Sequence, residues 1–306
     1  MRKHLLNFSL IALSVVLFLG GLIFYQYRSD AAENQAKEYA ANNGDVIRLS
    51  EDISLTVNKT APPANPVPPV EQPKEEPKEE PAEVAADCPG DIINLANWKQ
   101  TLPIGKSSKP TEIFQPALAD YSLEPYFRIN STADGVICRA PVNGVTTSNS
   151  GYPRSELREM TNGGKDQAKW STTSGTHTMF IDQAITAVPE TKKHVVAGQI
   201  HGSDDDILAI RLEYPKLFVD LNGKDGAVLD ANYKLGKRFT VKLVAENGQI
   251  KVYYNGASTP TYTHKKSASS CYFKAGAYTQ SNCSKETDCS SDNFGEVVLY
   301  DLAVTH

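Results

Sequence analysis

Three polar stretches of this chain place chemically active side chains on alternate residues. In the first, which runs from 154 to 159, period-two alternation puts Arg154, Glu156 and Arg158 on one face of a strand. An arginine can hold a carboxylate through two parallel hydrogen bonds, so this face could bind an acidic ligand. An exposed strand with cross-strand ion pairs would show the same pattern, and the stretch alone does not separate the two interpretations.

The second stretch runs from 195 to 201 and ends with Gln199 and His201 on one face and Ile200 on the other. Histidine can give or take a proton near neutral pH, although a lone histidine is more often structural. Here its neighbour on the same face is an amide that can donate hydrogen bonds. The pair is therefore a candidate for catalysis.

The third stretch, 272–280, alternates polar side chains with apolar or small residues of the core side. We expect Gly276 to leave room above the backbone for a ligand. Such a surface is typical of a binding floor, and alone it could equally be the face of a lectin. Its polar side carries Tyr272, Lys274, Tyr278 and Gln280.

Strand signals dominate the chain from residue 88 onwards, and these strands must position the polar faces. The clearest signal is a hairpin, in which residues 239–245 and 250–254 alternate apolar and polar around a tight Asn247-Gly248 turn. Turn residues separate further runs at 194–200, 207–214, 216–221, 272–279 and 296–304. Residues 88–306 therefore predict a single all-β domain, a two-sheet sandwich of the jelly-roll type.

The three stretches, RSELRE, QIH and YFKAGAYTQ, resemble in order and separation the signature strands of alginate lyases of polysaccharide lyase family 7. The opening segment from Cys88 to Pro103 also resembles the start of that domain, so the resemblance covers residues 88–306. It implies a concanavalin-like β-jelly roll with an open cleft on its concave sheet. It further implies cleavage of the polysaccharide alginate by β-elimination, without a cofactor or metal.

The resemblance also implies a role for each polar residue. Removal of the C5 hydrogen of a 4-linked uronate builds negative charge on its carboxylate, which must meet preorganised hydrogen-bond donors. By resemblance, the catalytic residues are Arg154, Gln199 and His201, as these donors, and Tyr278, as the catalytic tyrosine. A phenol needs nearby cations to act as a base, and Arg154 and Lys274 could supply them. The implied substrate-binding residues are Glu156, which would orient the two arginines, together with Arg158, Tyr272, Lys274 and Gln280.

The sugar epimer decides which residue is the base. In mannuronate the C5 hydrogen and O4 lie on the same side, so Tyr278 could serve as both base and acid. In guluronate they lie on opposite sides, so His201 would be the base and Tyr278 the acid. Ile200 matches the variant of the motif that, in the family, goes with guluronate-containing substrate. We expect endolytic action on the polymer.

Other classes of protein stay open. A non-catalytic carbohydrate-binding module could use the same fold, and a lyase could act on another polyuronate. A sandwich-fold glycoside hydrolase needs two acids beside the scissile bond, but Glu156 and Glu159 fall on opposite faces. The acidic turn 204–206 is interpreted as a solvated loop, because one turn lacks the distributed oxygen ligands of a calcium site.

The net charge of −5 lies outside the predicted domain. Residues 62–87 carry two basic and seven acidic side chains, whereas residues 1–61 carry six of each and residues 88–306 carry 23 of each. The bulk charge does not indicate a nucleic-acid binder. Attraction to an acidic polymer must therefore come from a local cluster of cations. We expect the protein to be a monomer.

The start of the chain predicts export. Residues 5–27 carry no charged side chain, follow Arg2 and Lys3, and are long enough to cross a bilayer. Residues 1–28 are therefore a signal peptide or an N-terminal membrane anchor, and contact with a membrane is expected only there. Both alternatives place the rest of the chain outside the cytoplasm, as a secreted, periplasmic or anchored protein.

Two further segments precede the domain. Residues 29–60 form a polar juxtamembrane segment. Residues 61–87 hold eight of the 18 prolines and predict an extended Pro/Glu/Lys-rich linker.

The five cysteines are expected to lie in an oxidising compartment, where disulfides can form. None of their spacings is typical of a zinc site. Cys283 and Cys289 are close enough to staple a polar loop with a disulfide. The odd count leaves at least one thiol unpaired, and the pairing of the other cysteines stays open. The others are Cys88, Cys138 and Cys271.

Overall fold

The computed structural model describes residues 86–306. The predictions for residues 1–28 and 29–60, and for nearly all of the 61–87 linker, lie outside the described residues. Within the described part, no helix is long and apolar enough to cross a membrane.

The described chain consists of one short helix and sixteen strands. The helix α1 spans Pro89–Ile92. The strands are β1 (Trp98–Lys106), β2 (Lys109–Ile113), β3 (Phe127–Ile129), β4 (Val136–Pro141), β5 (Arg154–Thr161), β6 (Asp166–Gln167), β7 (Thr176–Ala187), β8 (His194–His201), β9 (Asp206–Glu213), β10 (Lys216–Asp220), β11 (Asp225–Asp230), β12 (Phe239–Glu246), β13 (Gln249–Tyr254), β14 (Tyr262–Lys265), β15 (Tyr272–Thr279) and β16 (Phe294–Thr305).

These strands form two antiparallel sheets. The nine-stranded sheet has the order β11-β10-β9-β8-β15-β5-β1-β2, and β6 pairs with β5. The seven-stranded sheet has the order β14-β13-β12-β7-β16-β4-β3. Strands that are distant in sequence are neighbours in space, since β15 lies between β8 and β5. The predicted all-β sandwich of the jelly-roll type is confirmed.

The predicted hairpin over residues 239–254 is confirmed as β12 and β13. Val241 and Leu243 are fully buried, as their alternation predicted. Asn247 and Gly248 have φ angles of 51° and 69°, the left-handed conformation that a two-residue hairpin turn of this type requires.

Three strands of the nine-stranded sheet bury apolar residues between the two sheets. Leu157 of β5, Ile200 of β8 and Phe273 of β15 are each 0% exposed. Burial of a side chain of this size stabilises the fold by about 1.5–3 kcal/mol. Because successive side chains point to opposite faces, this burial directs the polar neighbours of these residues to the outer face of the sheet.

The predicted staple between Cys283 and Cys289 is confirmed as a disulfide in the loop between β15 and β16. Glu286 in the same loop accepts hydrogen bonds from the backbone N–H groups of Thr191 and Lys192, at 2.7 and 3.0 Å. Burial alone would raise the pKa of Glu286, but its hydrogen bonds outweigh burial and lower that pKa to about 2. This loop is therefore tied to the segment that precedes β8. The thiols of Cys88, Cys138 and Cys271 are free.

Candidate active site

The three polar stretches form adjacent strands, β8, β15 and β5, in the nine-stranded sheet. Lys274 of β15 pairs with Gln199 on one side and with Arg158 on the other. Tyr278 pairs with Arg154, and Tyr272 pairs with His201. The antiparallel register thus gathers side chains from three distant segments onto one surface, which we call the floor.

The floor lies in an open cleft with a volume of about 620 Å³. Loop residues 147–150 and 202–205 border the cleft, together with Asp206 at the start of β9. Seven of the nine site residues predicted from the sequence line it, and Glu156 and Gln280 do not. The seven are Arg154, Arg158, Gln199, His201, Tyr272, Lys274 and Tyr278.

Glu156 is the buried centre of the floor. Its side chain is 1% exposed, and its Oε2 lies 2.9 Å from Arg154 Nη1 and 2.5 Å from Lys274 Nζ. Its Oε1 accepts a hydrogen bond from Gln199 Nε2. Burial alone would raise the pKa of Glu156, but Lys274 and Arg154 outweigh burial and hold that pKa below its usual range. Glu156 is therefore an anion that positions three donors from beneath the floor.

The strand β5 is not an exposed strand with surface ion pairs. Arg154 and Arg158 are each only 8% exposed. Arg158 has other partners: its Nη1 donates to the carbonyl of Glu159 at 2.5 Å, and its guanidinium carbon lies 4.0 Å from the centre of the Tyr272 ring. Of the two arginines expected to be oriented by Glu156, the structure places Arg154 against it.

Lys274 is the cation of the floor whose pKa lies far from its usual value. Its side chain is buried, and burial together with the charge of Arg154 lowers its pKa to about 8, although Glu156 opposes this shift. Lys274 is therefore charged at neutral pH and loses its proton under mildly alkaline conditions.

Binding of an acidic sugar should weaken as Lys274 loses its charge. The arginines stay protonated above neutral pH, so we expect KM for a uronate polymer to rise about tenfold as pH increases from about 7 to about 9.5. Steady-state kinetics over this range would check it. Lys274→Met should show a raised KM that no longer changes with pH, and a flat KM in the unmodified protein would contradict the prediction.

His201 is prepared to act as a neutral base. Its Nδ1 lies 2.9 Å from the carbonyl oxygen of Gly202, which can only accept, so Nδ1 carries the proton and Nε2 has the free lone pair. Its ring stacks on Tyr272 with the ring centres 5.0 Å apart. Burial and the nearby charge of Lys274 lower the pKa of His201, which favours the neutral imidazole.

Tyr278 lies beside both cations that were predicted from the sequence. The guanidinium carbon of Arg154 is 3.8 Å from the centre of the Tyr278 ring, and Lys274 Nζ is 5.9 Å from it. The phenol oxygen is 2.8 Å from Ser150 Oγ. The ring of Tyr152 meets the Tyr278 ring edge-on at 6.4 Å.

The structure places two residues differently from expectation. Gly276 has a φ of 120°, and a Cβ added there would lie 2.7 Å from the carbonyl oxygen of Ser155 and 3.2 Å from Cys138 Sγ. Glycine is needed for backbone conformation and close packing, so the expectation that it leaves room for a ligand was wrong. Gln280 follows β15 outside the cleft, and its Nε2 is buried without a hydrogen-bond partner among residues 86–306.

Glu159 lies on the opposite face of β5 from Glu156, as predicted. Its Oε2 accepts hydrogen bonds from Trp170 Nε1 at 3.0 Å and from the backbone N–H of Phe273 at 2.8 Å. The two carboxylates therefore do not flank a common bond, and a hydrolase pair at this position is excluded. In the described part of the chain, no group of three or more His, Cys, Asp or Glu residues is arranged to hold a metal ion.

The cleft also contains residues that strand periodicity and the resemblance did not indicate as site residues, among them Lys99 and Ser150. Lys99 of β1 pairs in register with Arg158 and forms an ion pair with Glu112 at 2.5 Å. The alternation of Lys99 with the buried Trp98 is the signal in the sequence that indicates the face on which Lys99 lies. Ser150 lies in a loop, where no periodicity predicts direction.

An arginine, an amide, a histidine and a tyrosine on the floor of an open cleft in a jelly roll define an enzyme that processes polysaccharides, and the cations beside them fit an acidic polymer. The alginate lyase family model matches residues 93–306. The chain therefore belongs to the alginate lyase family, and its function is the cleavage of alginate by a lyase reaction.

Known relatives agree with this assignment. The alginate lyase AlgAT5 of polysaccharide lyase family 7 is 56% identical, with a TM-score of 0.69 over 72% of this chain and 99% of that one. A curated alginate lyase from Klebsiella pneumoniae is 27% identical over 287 residues, or 71% of this chain and 91% of that protein. Alginate lyase A1-II' is 27% identical, with a TM-score of 0.61 over 72% of this chain and 100% of that one, and its Tyr-to-Phe variant was crystallised with the product GGG.

Proposed function

We propose that Arg154, Gln199, His201 and Tyr278 carry out the β-elimination. The C5 hydrogen leaves as a proton, the bond between C4 and O4 breaks, and a double bond forms between C4 and C5. Charge that builds on the sugar carboxylate must meet donors. Arg154 and Gln199 each give one N–H group to Glu156 and have others for the substrate. The observation that carries the proposal is that one buried carboxylate holds both donors on the floor.

His201 and Tyr278 supply the base and the acid. The free Nε2 lone pair of neutral His201 can accept the C5 proton of guluronate, and Tyr278 can then protonate the departing O4. For mannuronate, Tyr278 would perform both steps. Alginate lyase A1-II' was crystallised with the substrate GGMG as a variant with one His-to-Asn and one Tyr-to-Phe change, which supports the same pair here.

This division predicts that His201→Asn affects the two sugars unequally. On guluronate-rich blocks we expect kcat to fall by about 10²–10⁴-fold, because the base is removed. On mannuronate-rich blocks the loss should be about tenfold or less, because Tyr278 supplies the base. Initial rates on the two kinds of block would check it. His194→Asn, at the other end of β8 and outside the cleft, is the matched control, and equal losses of His201→Asn on both blocks would refute the division.

We also propose that the preferred substrate contains guluronate. The Ile200 variant of the motif and the substrate complex of alginate lyase A1-II' support this preference. Ile200 is 0% exposed and cannot touch a sugar, so its influence must pass through the positions of Gln199 and His201.

Endolytic action is supported by the extent of the cleft. Lys99, Arg158 and Lys274 lie in register on neighbouring strands, so cations repeat at the strand spacing of about 4.8 Å. The turn 204–206 borders the cleft beyond β8. The lining of the cleft therefore continues on both sides of the four catalytic residues. An endolytic enzyme should lower the viscosity of an alginate solution early, when few new ends have formed. Viscosity that falls only in proportion to the new ends would contradict endolytic action.

The same protein should work outside the cytoplasm as a monomer. Alginate is a charged polymer that does not cross membranes unaided. The disulfide between Cys283 and Cys289 is of the kind that persists in an oxidising compartment. Fractionation of the producing cells and light scattering of the purified protein would test location and oligomeric state.

A further inference from the structure

A loop serine contacts the reacting atom of Tyr278. Residues 142–153 connect β4 to β5, and Ser150 in this loop places its Oγ 2.8 Å from the Tyr278 hydroxyl oxygen. Ser150 Oγ also accepts a hydrogen bond from the backbone N–H of Tyr152 at 3.1 Å and lies 3.2 Å from the carbonyl oxygen of Tyr152. One serine hydroxyl thus has two alternative acceptors for its single proton, the Tyr152 carbonyl and the Tyr278 oxygen.

The loop that carries Ser150 is held from outside the cleft. Asn282, next to the disulfide, donates from Nδ2 to the carbonyl of Gly151 at 2.9 Å. Lys192 Nζ donates to the Tyr152 hydroxyl at 3.0 Å. The two residues that follow Ser150 therefore have partners of their own, which hold the serine beside Tyr278.

We propose that Ser150 is a positioning residue for the reaction, an inference that rests on the proposed role of Tyr278. While Tyr278 carries its proton, its O–H donates to Ser150 Oγ, and the serine proton is directed to the Tyr152 carbonyl. When Tyr278 has given its proton to O4, the serine hydroxyl rotates and donates to the phenolate oxygen. Ser150 keeps its own proton throughout, so no net proton transfer passes through it.

In this role Ser150 fixes the direction of the Tyr278 hydroxyl, which the cations do not. Arg154 lies over the face of the Tyr278 ring and does not fix the direction of the hydroxyl. A hydrogen-bond partner of the phenol oxygen, as Ser150 Oγ is at 2.8 Å, holds that oxygen in position in both protonation states. Ser150 is half-buried, so the contact is partly protected from water.

The test compares Ser150→Ala with Ser150→Thr in the full chain. Loss of one hydrogen bond to the reacting oxygen should lower kcat on alginate about tenfold in Ser150→Ala, with KM within about twofold of the starting value. Ser150→Thr keeps the hydroxyl and should recover kcat to within about threefold. Ser131→Ala, an exposed serine in the turn between β3 and β4, is the matched control and should change neither constant.

A double variant separates this inference from the role of Tyr278. In a Tyr278→Phe background, Ser150→Ala should cause no further loss, because its partner is gone. Unchanged kcat in Ser150→Ala would overturn the positioning role, and so would an equal loss in Ser150→Thr. If Tyr278→Phe itself stays active, the proposed function fails first; if it is inactive while Ser150→Ala is normal, only the serine inference fails.

Discussion

Tyr278→Phe should lower kcat on alginate by about 10³-fold or more while oligosaccharide affinity stays within about twofold. Acid or base catalysis by a placed side chain contributes about 10²–10⁴-fold, and Tyr278 is proposed to protonate O4 for both sugars. The change deletes one oxygen and keeps the ring against the guanidinium of Arg154. Product formation and calorimetric binding of an alginate oligosaccharide would measure the two effects separately.

The matched control is Tyr253→Phe, which removes a phenol oxygen from β13 in the opposite sheet. It should leave both rate and affinity unchanged. If Tyr278→Phe retained more than about a tenth of the original kcat, Tyr278 would not be the general acid.

Glu156→Gln should damage both activity and stability. The carboxylate of Glu156 compensates Lys274 and Arg154 in a place where it is itself 1% exposed. Removing one partner of a buried ion pair typically costs 3–5 kcal/mol, so we expect the free energy of unfolding to fall by about 3 kcal/mol. We also expect kcat to fall by about 10²-fold or more, because the donors of Arg154 and Gln199 lose their common anchor. Denaturant unfolding and initial rates would measure these effects.

Glu246→Gln is the control for the charge change. Glu246 pairs with Lys251 at 2.8 Å on the protein surface, where solvent screening leaves an ion pair with little effect on stability. A Glu156→Gln protein with ordinary stability and ordinary kcat would show that the buried carboxylate does not organise the site.

Much of the site could be predicted from strand periodicity. The alternation around Leu157, Ile200 and Phe273 predicts which side chains enter the core, because an apolar side chain that faces water does not contribute its free energy of burial to stability. The polar partners on the other parity were therefore assigned to one face correctly, except for Gln280, which follows β15 outside the cleft. Periodicity does not predict that β8, β15 and β5 are neighbours, because strand order depends on contacts between distant segments. Only the resemblance to the family implied that these strands share one surface.

The errors and omissions have physical causes. Period-two alternation predicts the face on which Gly276 lies. At a φ of 120°, however, the direction of a Cβ departs from that of a regular strand. Ser150 lies in a loop whose path is fixed by Asn282 and Lys192, residues more than 40 positions away, and no local pattern reports such contacts. The net charge of −5 gives no sign of the cations on the floor, because the domain itself carries 23 charges of each sign.

The most direct test of the account is to count product ends. The protein is incubated with alginate, and new unsaturated uronate ends, followed by ultraviolet absorbance, are compared with new reducing ends in the same samples. Cleavage by β-elimination predicts one unsaturated end for every new reducing end throughout the reaction. Reducing ends without the chromophore would indicate hydrolysis, and absence of both would leave a sugar-binding protein; either result would contradict the account.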